Sequence, residues 1–306
     1  MKTCFMNDYT QKTREWLDVR FRQTDSQGVY FAHQPIYGFR MGHCEKSLLH
    51  RYIITYHIMN ALSHFSFESL VDLGGAEGYK GAMVRHLFNT DVKSCDLSQE
   101  ACNRADEIYN VDTQAIDVQD LPFETDSFDI VLCSEVLEHV QEFETAVEQL
   151  VRVSRKAVII TLPHESQKHV EKHRTQPHAH LRSFSLSSLD YLESRGFKIT
   201  RTKMNNPFLK PLGLLVEAMP RTYKRPIPLW NLYNRSLPLL RVLFGKRSME
   251  FLIHLDTFFS NVMSYNSMMF VIVKDTTAYS TRPLKQIRSN HIIDFAVPYH
   301  YVRNQT

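Results

Sequence analysis

The sequence predicts an α/β fold built on a doubly wound sheet, and three observations carry that prediction. Strand-like and helix-like stretches alternate from about residue 68 to residue 162. Within that span, the apolar run 70–73 opens the stretch "LVDLGGAEGYKG" and leads through a small-residue loop into helical periodicity. This one stretch holds four of the chain's ten glycines, Gly74, Gly75, Gly78 and Gly81. Alternation of this kind implies parallel strands with helices on both faces. A glycine loop between a strand and a helix implies close approach of a nucleotide or cofactor.

Element by element, residues 1–45 are polar and aromatic, with turn signals at Asp25-Ser26-Gln27-Gly28 and Gln34-Pro35. Trp16, Tyr30, His33, Tyr37 and Phe39 suit this segment to a lid that excludes water. Residues 46–65 read as a helix, because Leu48, Leu49, Tyr52, Tyr56, Ile58 and Leu62 recur at helical spacing. Strands are expected at 68–73, 91–95, 113–117, 128–133 and 156–162, with helices at 78–88, 98–108 and 141–153 between them. A helix is expected over 185–196, with Ser185 as N-cap and Gly196 just past its end. Strands at 197–202 and 268–274 complete the set, separated by a long insertion. The expected organisation is a lid and leading helix over 1–65 and a cofactor-binding core over 66–204. A helical insertion capping the acceptor follows at 205–265, then the last core strand and a tail at 266–306.

Composition sets outer bounds. The chain has 306 residues, 43% hydrophobic and 23% charged, an ordinary globular balance. A net charge of +3 calls for no nucleic-acid partner. The five cysteines are scattered without a Cys-x-x-Cys pair, which fits a reducing, cytoplasmic compartment rather than a disulfide framework. The first residues lack the apolar core of a signal peptide, and no uncharged run approaches the roughly 20 residues that span a bilayer.

In a doubly wound sheet, ligands sit at the carboxyl ends of the strands. The first strand ends at Asp72 and the glycine loop. The second ends at Asp96 and Leu97, the third at Asp117 and Val118, and the fourth at Cys133, Ser134 and Glu135. Asp96 is placed to accept hydrogen bonds from both hydroxyls of a ribose. Asp117 and Val118 offer a polar and an apolar contact for an adenine. The dinucleotide fingerprint Gly-x-Gly-x-x-Gly fits from neither Gly74 nor Gly75, and the Gly-Lys-Ser/Thr of a phosphate-binding loop is absent. Glu77 beside the loop disfavours a pyrophosphate and favours a cationic cofactor.

Residues 70–197 resemble the class I S-adenosylmethionine-dependent methyltransferases, closest to the branch of quinone-biosynthesis enzymes (methyltransferase type 11). Their first motif, Asp/Glu-x-Gly-x-Gly-x-Gly, is similar to Asp72-x-Gly74-x-Ala76-x-Gly78, with alanine at the middle glycine. "LPFETDSFDIVLCSEVLEHV" (121–140) resembles the branch's fourth-strand motif, and "RSFSLSSLDYLESRGFKIT" (182–200) its sixth-strand approach. The resemblance implies a seven-stranded Rossmann-like sheet with its last strand antiparallel, and S-adenosylmethionine as cofactor. It implies that Gly74, Gly75 and Gly78 pass close to the methionine part, that Asp72 acts near the amino group, and that Asp96 holds the ribose. Leu97, Asp117, Val118 and Ser134 complete the expected cofactor contacts.

Methyl transfer to a hydroxyl benefits from a base, and histidine suits that role near neutral pH. Of 15 histidines, His164 after the fifth strand is the first candidate, followed by His139 in "SEVLEHV" and His180 in "PHAH". Glu135-x-x-Glu138-His139 with His178 or His180 resembles the metal-ligand set of small-RNA 2′-O-methyltransferases, which would imply Mg²⁺ or Mn²⁺. The same run occurs in metal-independent relatives, so the expectation is no metal and activity that survives a chelator. The expected reaction is O-methylation of a small-molecule or glycan-like acceptor. Two rival functions are a metal-dependent RNA 2′-O-methyltransferase and a non-catalytic S-adenosylmethionine-binding module. Across 207–247, eight basic residues (Lys210, Arg221, Lys224, Arg225, Arg235, Arg241, Lys246, Arg247) face one acidic residue, Glu217, among leucines and aromatics. That mixture suits an anionic or lipid-linked acceptor and a peripheral membrane contact.

Overall fold

A computed structural model describes residues 8–23, 48–174, 178–209 and 247–295. Along the chain these form helices α1 (Asp8–Arg22) and α2 (Leu48–Leu62), strand β1 (Ser69–Leu73), helix α3 (Tyr79–Phe88), strand β2 (Asp91–Asp96) and helix α4 (Gln99–Tyr109). Strands β3 (Asp112–Ala115) and β4 (Phe128–Ser134), helix α5 (Phe143–Val153), strand β5 (Ser154–Pro163) and helix α6 (Gln167–His173) follow. Strand β6 (Lys198–Met204), helix α7 (Arg247–Val262), strand β7 (Ser267–Val273) and helix α8 (Ser289–Phe295) complete the set.

The seven strands form one sheet in the order β3-β2-β1-β4-β5-β7-β6. β1 lies parallel to both β2 and β4, so the winding reverses between those two neighbours. β7 runs antiparallel to β5, with Phe270 opposite Ile160. The central strands read as unbroken apolar runs because both faces are covered: "VIIT" in β5 and "MFVIV" in β7 are buried throughout. β3, "DTQA", is polar and half-exposed, as an edge strand should be.

Helix α5 shows how pattern becomes packing. Phe143, Ala146, Val147, Leu150 and Val151 fall at i, i+3, i+4, i+7 and i+8, and all are buried. Burying each of the larger ones is worth about 1.5–3 kcal/mol, and Leu150→Ala would cost roughly 2–5 kcal/mol through the cavity left behind. α4 starts where Ser98 accepts a hydrogen bond from the Ala101 amide at 3.1 Å, a side-chain N-cap. It ends at Asn110, left-handed at φ 50°.

The chain divides into two compact units. The first contains residues 1–34, 64–202 and 267–284, and hence α1, the α/β succession and β7. The second contains residues 35–63, 203–266 and 285–306. The leading helix α2 thus shares a unit with the insertion and the tail. Within that second unit, α8 packs on α2 and α7. Buried Asp256 of α7 accepts the Asn205 and Asn206 amides at 2.9 and 2.7 Å, fixing the chain as it leaves β6.

Two sequence expectations are corrected. The segment 185–196 is not an α-helix: turns lead into a 3-10 helix at Asp190–Arg195, and only Gly196, at φ 92°, keeps its expected terminal place. The serines divert the backbone. The Ser188 hydroxyl accepts from the Ser185 amide at 2.9 Å, and the Ser185 and Ser187 hydroxyls bond to each other. At the N-terminus, Asp8–Arg22 is a helix within the segment for which no helix was expected. Its buried side chains are Thr10, Thr13 and Phe21, so it carries little apolar periodicity to read. The turn signals at 25–28 and 34–35, the aromatics Tyr30, His33, Tyr37 and Phe39, and residues 210–246 of the insertion lie outside the described residues.

Candidate active site

The loop after β1 is built from its own backbone outward. Gly74 and Gly78 take left-handed φ values of 76° and 75°, which a side chain resists. The Gly74 and Gly75 amides both donate to the Cys95 carbonyl, at 2.7 and 2.9 Å. A Cβ on Gly74 would stand 2.1 Å from Val136 Cγ2, one on Gly75 2.3 Å from Ser94 Oγ, and one on Gly78 2.8 Å from Ala105 Cβ. The backbone and the protein's own packing therefore demand glycine at Gly74 and Gly78 and crowd a side chain at Gly75, a reason that the sequence reading assigned to a ligand alone. Ala76, in the place of the resembled family's middle glycine, is also left-handed at φ 49°. Its methyl group packs with Phe21, Leu17 and Ala101, which repays backbone strain on the order of 1–2 kcal/mol.

Two carboxylates converge on this loop from adjacent strand ends. Asp96 Oδ2 accepts the Ala76 amide and Oδ1 the Ser98 amide, both at 2.9 Å. Asp72 Oδ2 accepts the Gly81 amide at 3.1 Å, in the first turn of α3. Both residues are buried. Burial pushes the Asp72 carboxyl up to about 6, against the pull of Lys80 and the Gly81 amide. Burial also raises Asp96, opposed by the amides it accepts. Asp72 thus caps the first turn of α3, and Asp96 serves as a clamp on the loop.

Glu77 takes a different part from the one its sequence position suggests. It is fully buried and paired at 2.7 Å with Arg104 of α4, itself buried. Its charge is neutralised within the protein, so the case for a cationic ligand falls to Asp72 and Asp96. Arg104 also donates to the Phe21 carbonyl at 2.7 Å, and Asp18 accepts the Ser98 hydroxyl at 2.6 Å. Helix α1 is thereby fastened to the glycine loop and α4. Leu97 is half-buried beside Asp96. After β3, Asp117 accepts the Gln119 amide at 2.9 Å, and Val118 is buried. Ser134 is buried, with its hydroxyl 2.8 Å from that of Thr161.

Beyond β4 a second cluster forms. Glu135 adopts a left-handed φ of 58° and donates its amide to the Thr161 carbonyl at 3.0 Å. His139 follows in a 3-10 turn, Leu137–His139. The Leu181 amide donates to the Glu138 carbonyl at 2.7 Å and so draws residues 178–181 against it. His139 stacks on His178 with centroids 3.6 Å apart, and His180 meets His139 edge-on at 4.8 Å. Trp16 of α1 stacks on the same His178 at 5.3 Å. Burial, then the neighbouring imidazoles, hold His139 well below the usual histidine range. Burial, then Glu135, push Glu138 well above the carboxylate range. His180 Nδ1 lies 2.5 Å from Glu165 Oε2. His164 Nδ1 lies 2.9 Å from the Phe184 carbonyl. The fold thus brings His139 and His180 together, while His164 is anchored to a neighbouring backbone. Sequence reasoning named the members of this cluster without expecting a ligand set, and it gave Glu165 and Trp16 no part in it.

Residues 71–162 match the family model for a methyltransferase domain. No curated protein matches the chain in sequence. Among solved structures, the cyclase SpnF is 13% identical with a TM-score of 0.50, covering 75% of this chain and 83% of its own. A Haemonchus contortus phosphoethanolamine N-methyltransferase 2, solved with S-adenosyl-L-methionine, is 14% identical with a TM-score of 0.49, covering 80% of this chain and 61% of its own. A SAM-dependent methyltransferase from Archaeoglobus fulgidus is 12% identical with a TM-score of 0.46, covering 72% and 93%. At 13% identity the likeness to SpnF speaks for the fold alone. The sheet order, the antiparallel last strand and the matched domain agree in that respect.

Proposed function

We propose, for a chain that carries a class I methyltransferase domain of the type 11 branch, that it transfers methyl groups from S-adenosylmethionine to a hydroxyl of a small-molecule or glycan-like acceptor. The observation that carries this reading is the pair of buried carboxylates, Asp72 and Asp96, at the ends of adjacent strands around a glycine turn. The residues present fit the cofactor. Both carboxyls are held up by burial, so the positive charge of a sulfonium or ammonium group offsets a cost already present. Asp96 uses each oxygen for one amide and keeps lone pairs for ribose hydroxyls. Leu97, Asp117 and Val118 would flank the base, and Ser134 would line the far side of the turn.

When bound, the cofactor supplies a methyl group already activated for in-line displacement. The protein's share is to orient the acceptor, exclude water and accept the acceptor's proton. That proton would pass to an imidazole of the set His164, His139 and His180. The basic and apolar composition of 207–247 supports an anionic or lipid-linked acceptor and peripheral contact with a membrane. No described helix is long and apolar enough to cross one.

The test is transfer of a labelled methyl group across a panel of hydroxylated acceptors with and without phosphate. Charge reversal at Lys224, Arg225 and Arg241 together should raise the apparent KM for an anionic acceptor at low salt and leave cofactor affinity unchanged. Parental efficiency in that variant would remove the anionic acceptor from the reading. Cofactor binding without turnover on any acceptor would favour a non-catalytic binding module.

A further inference from the structure

Asp96 receives one amide on each carboxylate oxygen, and helix α1 stands behind both donors. Oδ1 takes the Ser98 amide at 2.9 Å, and Ser98 is held in turn by Asp18 of α1. The Ser98 hydroxyl donates to Asp18 Oδ1 at 2.6 Å, and the same oxygen accepts the Glu100 amide at 3.3 Å. Oδ2 of Asp96 takes the Ala76 amide at 2.9 Å, and the Ala76 side chain packs with Phe21 and Leu17 of α1. Two further ties fix the end of α1 beside Asp18. Arg104 donates to the Phe21 carbonyl at 2.7 Å, and Arg22 pairs with Glu100 at 2.6 Å.

A serine N-cap needs no second carboxylate. The Ser98 oxygen caps α4 by accepting the Ala101 amide at 3.1 Å, while its proton goes to Asp18. Ser98 is fully buried, and a buried donor must find an acceptor. Without Asp18, the nearest carboxylate along the chain is that of Asp96, two residues back, which already takes the Ser98 amide. A second bond from Ser98 would turn that carboxylate and occupy a lone pair that a ribose hydroxyl requires.

We propose that Asp18 is a positioning residue for the cofactor site. Acting through Ser98, it fixes the Asp96 carboxylate and keeps lone pairs on it free for hydroxyl donors. The inference rests on the reading of Asp96 as the ribose contact and extends that site to helix α1. Asp18 itself touches no ligand in this arrangement. Coupling between two sites is reciprocal, so a cofactor bound at Asp96 should also tighten α1 against α4.

The test uses the full chain and compares the parent with Asp18→Ala, Asp18→Asn, Asp96→Ala and the double variant Asp18→Ala/Asp96→Ala. Urea midpoints check that each is folded. By calorimetry, Asp18→Ala should weaken S-adenosylmethionine about tenfold. Asp18→Asn keeps an oxygen for the Ser98 hydroxyl and should stay within about threefold of the parent. In the Asp96→Ala background, Asp18→Ala should cost less than about twofold more, because its route to the cofactor is gone. A helix that merely braces the fold would give the same loss in both backgrounds. Hydrogen exchange of the Ser98 amide, followed in the cofactor-free chain, should quicken at least about fivefold in Asp18→Ala. Equal losses of affinity in the two backgrounds, or an unchanged Ser98 amide in Asp18→Ala, would overturn the proposal. A parent that binds no S-adenosylmethionine, with the Ser98 amide responding as expected, would leave the link from Asp18 to Asp96 standing and count against the proposed function.

Discussion

The loops after β1 and β4 lie on neighbouring strands and touch where Gly74 meets Val136, yet they are finished to different degrees. In the first, Asp96 takes two amides, Asp72 takes one, and Glu77 is neutralised by Arg104. In the second, Glu138 Oε2 and His178 Nδ1 are buried without partners. The difference separates two ways of preparing a site. The first loop is pre-shaped by its own hydrogen bonds and would receive a ligand with little rearrangement. The second carries unmet polar capacity that a ligand would satisfy.

The largest effect should come from breaking the finished loop. Arg104→Leu removes the cation but leaves Glu77 buried, and a stranded charge of that kind costs about 3–5 kcal/mol. Urea unfolding should show that loss, and helix α1 should lose protection from hydrogen exchange because its tie at Phe21 goes with it. A loss below about 1 kcal/mol would mean that the pair is not what holds the loop.

A smaller effect is set by pH. Asp72 moves from an ordinary value of 3.8 to about 6 in the folded protein. Between those values the folded state keeps a proton that the unfolded state has released. Stability therefore falls as pH rises through that window, by up to about 3 kcal/mol for roughly two pKa units. Asp72→Asn removes the slope. Without cofactor it should exceed the parent in stability above pH 6 and match it below about pH 4, as read from urea midpoints at both ends. An unchanged difference across the range would show that Asp72 titrates alike in the folded and unfolded states.

The smallest effect should have the opposite sign to that of Arg104→Leu. Glu138→Gln replaces an unsatisfied buried carboxyl by a neutral isostere, and metal-free stability should stay level or rise by up to about 1 kcal/mol. Thermal unfolding after chelation checks this. A loss of 2 kcal/mol or more would mean that the second loop is as complete as the first.

The middle of the sheet was legible because β1, β4, β5 and β7 are largely apolar runs, and their period and length survive any packing detail. β5 and β7 lie within two residues of their expected bounds for that reason. Helix α1 was not legible, since its buried face consists of two threonines and Phe21. The signals that could have found it are Asp8 in the first turn and the Asp8–Lys12 pair at i, i+4. At the site, Asp72 and Asp96 follow from their places at strand ends. The pairing of Glu77 with Arg104 joins a loop to a helix 27 residues away, and no local pattern announces it. The meeting of Glu138 and His139 with His180 depends on a loop-to-loop hydrogen bond at Leu181, which is a property of the fold rather than of spacing.

The most direct test of the central claim is calorimetric titration of the parent chain and of Asp96→Ala with S-adenosylmethionine, beside a nicotinamide dinucleotide as competitor. The account predicts binding of one equivalent to the parent in the micromolar range. It predicts a roughly 5- to 150-fold loss in Asp96→Ala, corresponding to the 1–3 kcal/mol of charge-assisted hydrogen bonds to a ribose. The dinucleotide should not displace it. Equal affinity of parent and variant, or tighter binding of the dinucleotide, would contradict the claim that the carboxylates around the glycine turn hold S-adenosylmethionine.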